Sequence, residues 1–332
     1  MHRGLALGMT LLLGCGPTKG TPYPTSTPAD EVPADGPQGE PTSRLHFDWV
    51  SPQLQEHPLV GAIWSVDEAA LIDEAKLIDA LQPAQHVLLG ETHDNPDHHR
   101  LQARYLEASA SGRSLVAWEM IERDLGEERR AALAAAETPE EIEVVLDWSH
   151  SGWPDFAIYQ PVFDAAMKAG LALRGGGLTR EDLAPLFSGG EVDPQLREDF
   201  GLDDPIEAQI ERLWIDELFD AHCGAMPREA LGPMLLAQRL RDAAMAQAVL
   251  QAERSVLIAG SGHVRRDRAV PAMLARSGHT SVAVAFVEVQ ADEREVADYG
   301  ELPYDYVVFT PRVERGDPCE AFAKGKGGKA NP

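Results

Sequence analysis

Short apolar runs alternate with longer amphipathic stretches along most of this chain. That is the βαβ pattern, and it commits the chain to an α/β fold with a mainly parallel β-sheet flanked by helices. His86 to Gly90 reads as a strand. Asn95, an N-cap residue followed by Pro96 at the first helical position, starts a helix that runs to about Ser111 and is closed by Gly112. Ser114 to Glu119 predicts a second strand, and Asp124 to Glu137 and the segment opening at Thr138 and Pro139 predict helices. Tyr159 to Ala169 predicts a helix stopped by Gly170, and Leu171 to Arg174 a third strand ending in Gly175, Gly176 and Gly177. From about 179 to 253 helix follows helix, with apolar positions at Ile206, Ile210, Leu213, Trp214 and Leu218. This predicts an inserted all-helical lobe. Ser255 to Ala259 returns to strand, Pro271 to Arg276 to helix, and Ser281 to Val289 and Tyr304 to Thr310 supply the last strands. The sequence shows no internal repeat and no transmembrane helix.

Ligands of open α/β sheets bind beyond the carboxyl ends of the strands, so polar residues directly after apolar runs carry the functional signal. Two such places stand out. Glu91 and His93 follow the first strand, two residues apart, and point the same way if extended geometry persists. Gly260, Ser261, Gly262 and His263 follow the Ser255 strand, with glycines that let the backbone turn sharply or approach a ligand. If the two strands are neighbours, Glu91, His93 and His263 converge, a set that holds a divalent metal or runs acid–base chemistry near neutral pH. Glu119 offers a further carboxylate, and Arg174 or Arg180 a clamp for an anionic group. Asn95, His98 and His99 continue the rim; one of the two histidines faces the cleft and the other the sheet or solvent, and a neutral imidazole suits a helix N-terminus better than a charged one. The bland alternative is that these groups cap the following helix and satisfy strand-end donors, making the chain a non-catalytic interaction module.

The first fifteen residues are a processing segment rather than part of the fold. His2 and Arg3 precede an apolar stretch from Leu5 to Leu13, too short to span a bilayer, and Leu12, Leu13, Gly14 and Cys15 close it. That tetrapeptide resembles the bacterial lipobox, which implies a lipid anchor on Cys15 and a place in the cell envelope, with the outer membrane favoured. An ordinary secretory signal cut near Gly14 or Gly16 is the alternative, and both export the protein. Residues 16–44, rich in Pro, Thr and Gly, bury too little apolar surface to order and form a tether. Residues 45–320 remain as one α/β domain with its helical lobe, and 321–332 as a flexible tail. A formal charge of −25 argues against nucleic acid and anionic lipid surfaces as partners. Beyond Cys15 the cysteines are Cys223 and Cys319, which in an oxidising compartment either pair as a disulfide or persist as two buried thiols; their Cα separation decides.

The run from Gly90 through Glu91, Thr92, His93, Asp94, Asn95, Pro96, Asp97 and His98 to His99, with Gln102 following, resembles the ChaN-like haem-binding lipoproteins. His222-Cys223-Gly224, Gln238 to Ala246, Gly260 to Val264 and Asp317-Pro318-Cys319 are similar in type and order, so the likeness covers roughly residues 45 to 320. The wider group resembles Tiki metalloproteases and erythromycin esterases, whose sites carry a Gly-Glu-x-His and a Gly-x-x-His element. The resemblance implies two functions. One is capture of haem in the bacterial envelope for iron uptake, with stacked haems between two protomers of a homodimer. The other is metal-dependent or acid–base hydrolysis of a small-molecule substrate, with Glu91 activating a water positioned by His93 and His263. Haem iron needs an axial ligand, and segment 179–253, which has no tyrosine, offers His222, Met226, Met234 or Met245. Arg239 and Arg241 lie near Met234 in sequence for the propionates. Many relatives carry an Ala-Ala-Asn type turn where this chain has Gly175, Gly176 and Gly177, so a side-chain amide is missing.

Overall fold

The structure is a computed structural model that describes residues 44–317 and residue 319. The leader, Cys15, the tether as far as residue 43 and the tail from residue 321 lie outside the described residues. In chain order the elements are β1 (Ile63–Ser65), β2 (Ala70–Ile72), α1 (Glu74–Leu81), β3 (His86–Glu91), α2 (Pro96–Ser109), β4 (Leu115–Glu122), α3 (Gly126–Ala135), α4 (Pro139–Leu146), α5 (Phe156–Lys168), β5 (Ala172–Gly177), α6 (Arg180–Ser188), α7 (Pro194–Asp199), α8 (Ala208–Ala221), α9 (Gly232–Val249), β6 (Ser255–Gly260), α10 (Val270–Arg276), β7 (Ser281–Glu288) and β8 (Tyr306–Thr310). The strands form one eight-stranded sheet in the order β2-β1-β8-β7-β3-β6-β4-β5. From β8 to β5 every pairing is parallel, while β1 runs antiparallel to both β2 and β8. This is the α/β class with a mainly parallel sheet that the alternation predicts. The β1–β2 hairpin and α1 escape a sequence reading because three-residue strands are too short to show a period.

Strands β3 and β6 are buried along their whole length because helices cover both faces of the sheet. Val87, Leu89, Val256, Ile258 and Phe286 turn to one face, where Leu101 and Tyr105 of α2 and Tyr159 and Phe163 of α5 meet them. Leu88, Leu257, Ala283 and Val307 turn to the other, against Leu240, Ala243 and Ala244 of α9 and Leu274 of α10. The helical segment between β5 and β6 is thus divided. Helix α9 belongs to the layer that covers the sheet, while Trp214, Leu218, Leu231 and Leu235 form a small apolar cluster of their own.

Chain order reverses about β3 and β6: β4 and β5 lie to one side and β7 and β8 to the other, which opens a cleft at the carboxyl ends. The helix after β3 begins where Asn95 accepts from the backbone N–H groups of Asp97 and His98, with Pro96 at the first turn. Strand β5 continues through the three glycines, where the sequence reading ended it, because β4 bulges between Trp118 and Glu122. The bulge drives β4 carbonyls toward β5: a Cβ on Gly175 would sit 2.0 Å from the Glu122 oxygen, and one on Gly177 2.3 Å from the Glu119 oxygen. The three glycines therefore allow the bulge that carries β4 past Glu119.

Cys223 and Cys319 are joined in a disulfide with Cα atoms 5.6 Å apart. The bond ties the loop after α8 to the arm that follows β8. On that arm Arg315 donates to Asp94 (2.6 Å) and to Glu288 (2.8 Å), so the arm is fixed to the sheet end as well as to the lobe.

Candidate functional site

Parallel pairing sets Glu91 of β3 beside Gly260 of β6, which brings both glycine-histidine strand ends to one point. Glu91 follows Val87 and Leu89 and so turns to the α2 and α5 face, whereas Glu119 follows Ala117 and turns to the α9 face. His93 joins them across the end of the sheet. Its Nδ1 donates to Glu91 Oε1 at 2.8 Å, and its Nε2 lies 3.9 Å from Glu119 Oε2. The backbone N–H of Gly260 donates to the same Oε2 at 2.8 Å. Glu119 Oε1 is 3.4 Å from Nε2 of His263, whose Nδ1 donates to Asp242 of α9 at 2.6 Å.

Behind Glu91 stands His99. Its Nε2 donates to the His93 carbonyl at 2.9 Å, and its Nδ1 faces Gln102 Oε1 at 3.0 Å. That nitrogen is also 2.5 Å from Glu91 Oε2, a close ionic contact at an angle outside hydrogen-bond geometry. Tyr159 donates to Glu91 Oε1 at 3.3 Å and to the His93 carbonyl at 3.1 Å. Trp153 sets its ring edge-on to His93. The result is a chain of alternating imidazoles and carboxylates: His99, Glu91, His93, Glu119, His263, Asp242.

The chain has closed ends and an open middle. Side chains of Glu91 and His99 have no exposed surface and that of Asp242 has 1%, whereas His93, Glu119 and His263 keep 11%, 7% and 14%. The two longest links are those that converge on Glu119. A ligand therefore meets the Nε2 atoms of His93 and His263 with the Glu119 carboxylate between them.

Electrostatics follows from this alternation. Burial raises the Glu91 carboxyl, but His99 and His93 outweigh it and hold it at about 2. Burial likewise opposes ionisation of Glu119, and His263 and His93 pull it well below the carboxylate range. Both imidazoles are raised against burial, His93 by Glu119 and Glu91, and His263 by Glu119 and Asp242. Burial pushes the Asp242 carboxyl up, against the pull of His263. Tyr159 is raised well above its usual range by burial and the two glutamates, so it acts as a fixed donor.

These directions set a pH profile. The Glu91 contribution is present above the ordinary 4.5 and is lost as pH falls toward about 2, on the order of 3 kcal/mol by linkage. The His93 and His263 contributions are full below 6.5 and are lost as pH rises through their elevated values. Buried His86 and His98 are shifted the other way and contribute as pH rises through 6.5, so the cluster is read by difference. In urea unfolding across pH the stability deficit of Glu119→Gln against wild type is expected to be largest between 4.5 and 6.5 and to shrink as pH rises through the raised values of His93 and His263; a deficit that stays constant would contradict this.

Other candidates fall outside the cleft. Asn95 spends its side chain on the α2 cap, Glu288 and the Pro311 carbonyl, and has no exposure. His98 is fully enclosed, its Nδ1 accepting from Thr92 N and its Nε2 bonded to Thr310 Oγ1; burial and His99 push its pKa well below normal, which suits a neutral structural ring. His99, also enclosed, supports Glu91 rather than facing a ligand. Arg174 and Arg180 are exposed; Arg174 donates to the Leu173 carbonyl, and neither is hydrogen-bonded or ion-paired to the cluster. Gly262 lies half-buried in the 3-10 turn Ser261–Val264 that carries His263. Glu91, the carboxylate expected to activate water, is fully enclosed, and Glu119 is the carboxylate with surface. Asp242 and Tyr159 are the members that strand-end reasoning misses, since both come from helices.

The metal alternative gains no support, since among the described residues no group of three or more His, Cys, Asp or Glu has metal-holding geometry. In the cleft a haem iron would meet the Nε2 atoms of His93 and His263, whose Nδ1 atoms are held by Glu91 and Asp242 and which both face the Glu119 carboxylate, at 3.9 and 3.4 Å. Of the lobe candidates, Met245 is fully enclosed beside Gly176 in the main core, where no haem iron can reach it. His222 is buried with Nδ1 donating to the Leu218 carbonyl at 2.7 Å. Met226 and Met234 are half-buried on the lobe cluster beside Ile206, Ile215 and Phe219.

Residues 77–274 match the family described as haem-binding uptake, Tiki superfamily, ChaN. The chain belongs to the ChaN family. A solved structure of ChaN from Campylobacter jejuni, described by its cofacial haem binding, is 19% identical and matches this ChaN-family chain with a TM-score of 0.58, over 74% of this chain and 95% of that one. At that identity the likeness speaks for the fold. An erythromycin esterase EreC variant in its open conformation (15% identity, TM-score 0.38, 84% and 87% coverage) and the type III effector HopBA1 (14%, 0.37, 71% and 92%) are more distant and carry no argument. No curated protein matches the ChaN-family chain.

Proposed function

We propose that this chain is an exported haem-binding protein of the bacterial envelope that serves iron uptake, held through a lipid on Cys15, with the outer membrane as its site. Membership of a haem-binding uptake family over residues 77–274 carries this reading. On the lobe, Met226 and Met234 offer thioether ligands for a porphyrin, with Phe219, Ile206 and Ile215 as apolar packing. Bound there, haem would supply the iron that uptake delivers. A homodimer in which two lobes share stacked haems is compatible with this surface. Titrating the purified chain with hemin is expected to give a saturable Soret band that shifts in Met234→Ala or Met226→Ala. A flat, unsaturable spectrum would reject haem binding.

A second reading is favoured by one observation, the two Nε2 atoms that bracket the Glu119 carboxylate. Such a pair performs acid–base hydrolysis of a small ester or amide: one ring, paired with its carboxylate, takes a proton from water as the water attacks, and the other gives a proton to the leaving group. Glu91 and Asp242 hold the rings in place through Nδ1. If the cleft is catalytic, ester turnover in Glu119→Gln falls by about 10²–10⁴-fold. Equal turnover in that variant would count against the reading.

A further inference from the structure

Helix α9 lines the cleft with more than Asp242. Gln238 lies one turn before Asp242 and Arg241 immediately precedes it, so the three share the side of the helix that meets the sheet end. Asp242 is committed to His263. Neither Gln238 nor Arg241 has a hydrogen bond or ion pair with any described residue. Gln238 is 9% exposed and its Oε1 is enclosed without a partner. Arg241 is half-buried, and the carboxylates that act on it are Glu119 and Asp242. Nearby cations are differently placed: Arg239 on the same helix donates to the carbonyls of Leu202 (2.6 Å) and Gly201 (3.3 Å), and Arg268 pairs with Glu217.

A half-buried guanidinium without a partner, beside an enclosed amide without a partner, is an incomplete arrangement. The two carboxylates near Arg241 are already engaged by imidazoles, which leaves its planar N–H fork for a ligand. We infer that Arg241, seconded by Gln238, is the anion-recognising wall of the cleft, and that the cleft's ligand carries a carboxylate or phosphate group beside the centre that meets His93, Glu119 and His263. This rests on reading the cleft as a ligand site and names the class of ligand it takes. The anion belongs either to a free small molecule or to a propionate arm of a porphyrin.

The probe is inorganic phosphate, titrated into the full chain against sodium chloride at matched ionic strength and followed by calorimetry and thermal unfolding. Wild type is expected to bind phosphate saturably, with affinity weakened about tenfold or more in Arg241→Gln and less in Gln238→Leu. Arg241→Lys keeps the charge but loses the planar fork and is also expected to bind more weakly; it supplies the comparison if Arg241→Gln does not fold. No saturable binding by wild type, or equal affinity in the Arg241 variants, would overturn the inference. Hemin that displaces phosphate would assign the anion to a propionate; independent binding would assign it to a separate small ligand. Failure of the hydrolytic reading is seen separately, as absence of ester turnover, and leaves the phosphate result standing.

Discussion

Glu119→Ala is expected to cost about 3–5 kcal/mol of stability, because removing one partner of a buried charge group leaves the others uncompensated. The site makes the loss severe. Glu119 faces Nε2 of both His93 and His263 and accepts from Gly260 N–H, so one substitution strips three groups of their partner. Both rings would then lose the carboxylate that most raises their pKa against burial. Glu119→Gln should be milder, since an amide oxygen still accepts from Gly260. Chemical unfolding at pH 6 would show this ranking, and an alanine variant within experimental error of wild type would contradict it.

Breaking the Cys223–Cys319 disulfide is expected to have an effect of similar size. The cysteines are separated by 96 residues, and freeing a loop of that length returns about 4–5 kcal/mol of entropy to the unfolded chain. The double variant Cys223→Ser, Cys319→Ser, or wild type in reductant, should unfold at clearly lower urea. The loss should concentrate in α8 and the arm from β8, seen as faster amide exchange there than in β3 or β6. Arg315 would still hold the arm to Asp94 and Glu288, so the sheet end should keep its protection. Unchanged stability on reduction would mean that the bond ties nothing that unfolding releases.

Much of the fold was legible because parallel strands covered on both faces read as unbroken apolar runs, as in β3 and β6. The convergence of Glu91, His93, Glu119 and His263 was legible for the same reason: each stands at or just past a strand end. What was hidden depended on helix rotation. Asp242 sits inside an alanine-rich helix with no turn signal to mark it, and Tyr159 looks like any core aromatic of α5. That Glu91 is enclosed and Glu119 is the more open carboxylate was hidden, because sequence places both at strand ends but does not tell which one a histidine and a tyrosine enclose. Similarly, Asn95 and His98 matched the rim in spacing, yet the α2 cap and Thr310 absorb their polar atoms. The three glycines read as a missing side-chain amide, and in the structure they leave the space into which bulged β4 fits.

One carboxylate, Glu119, lies between two imidazoles and raises the pKa of both. Nitrogen-detected NMR titration of the histidine rings, in wild type and Glu119→Gln, reads that coupling at the rings themselves. His93 and His263 are predicted to titrate above 6.5 in wild type with Nδ1 protonated throughout, and both to fall in the variant. Rings that titrate at or below 6.5, or that ignore the loss of Glu119, would contradict the account.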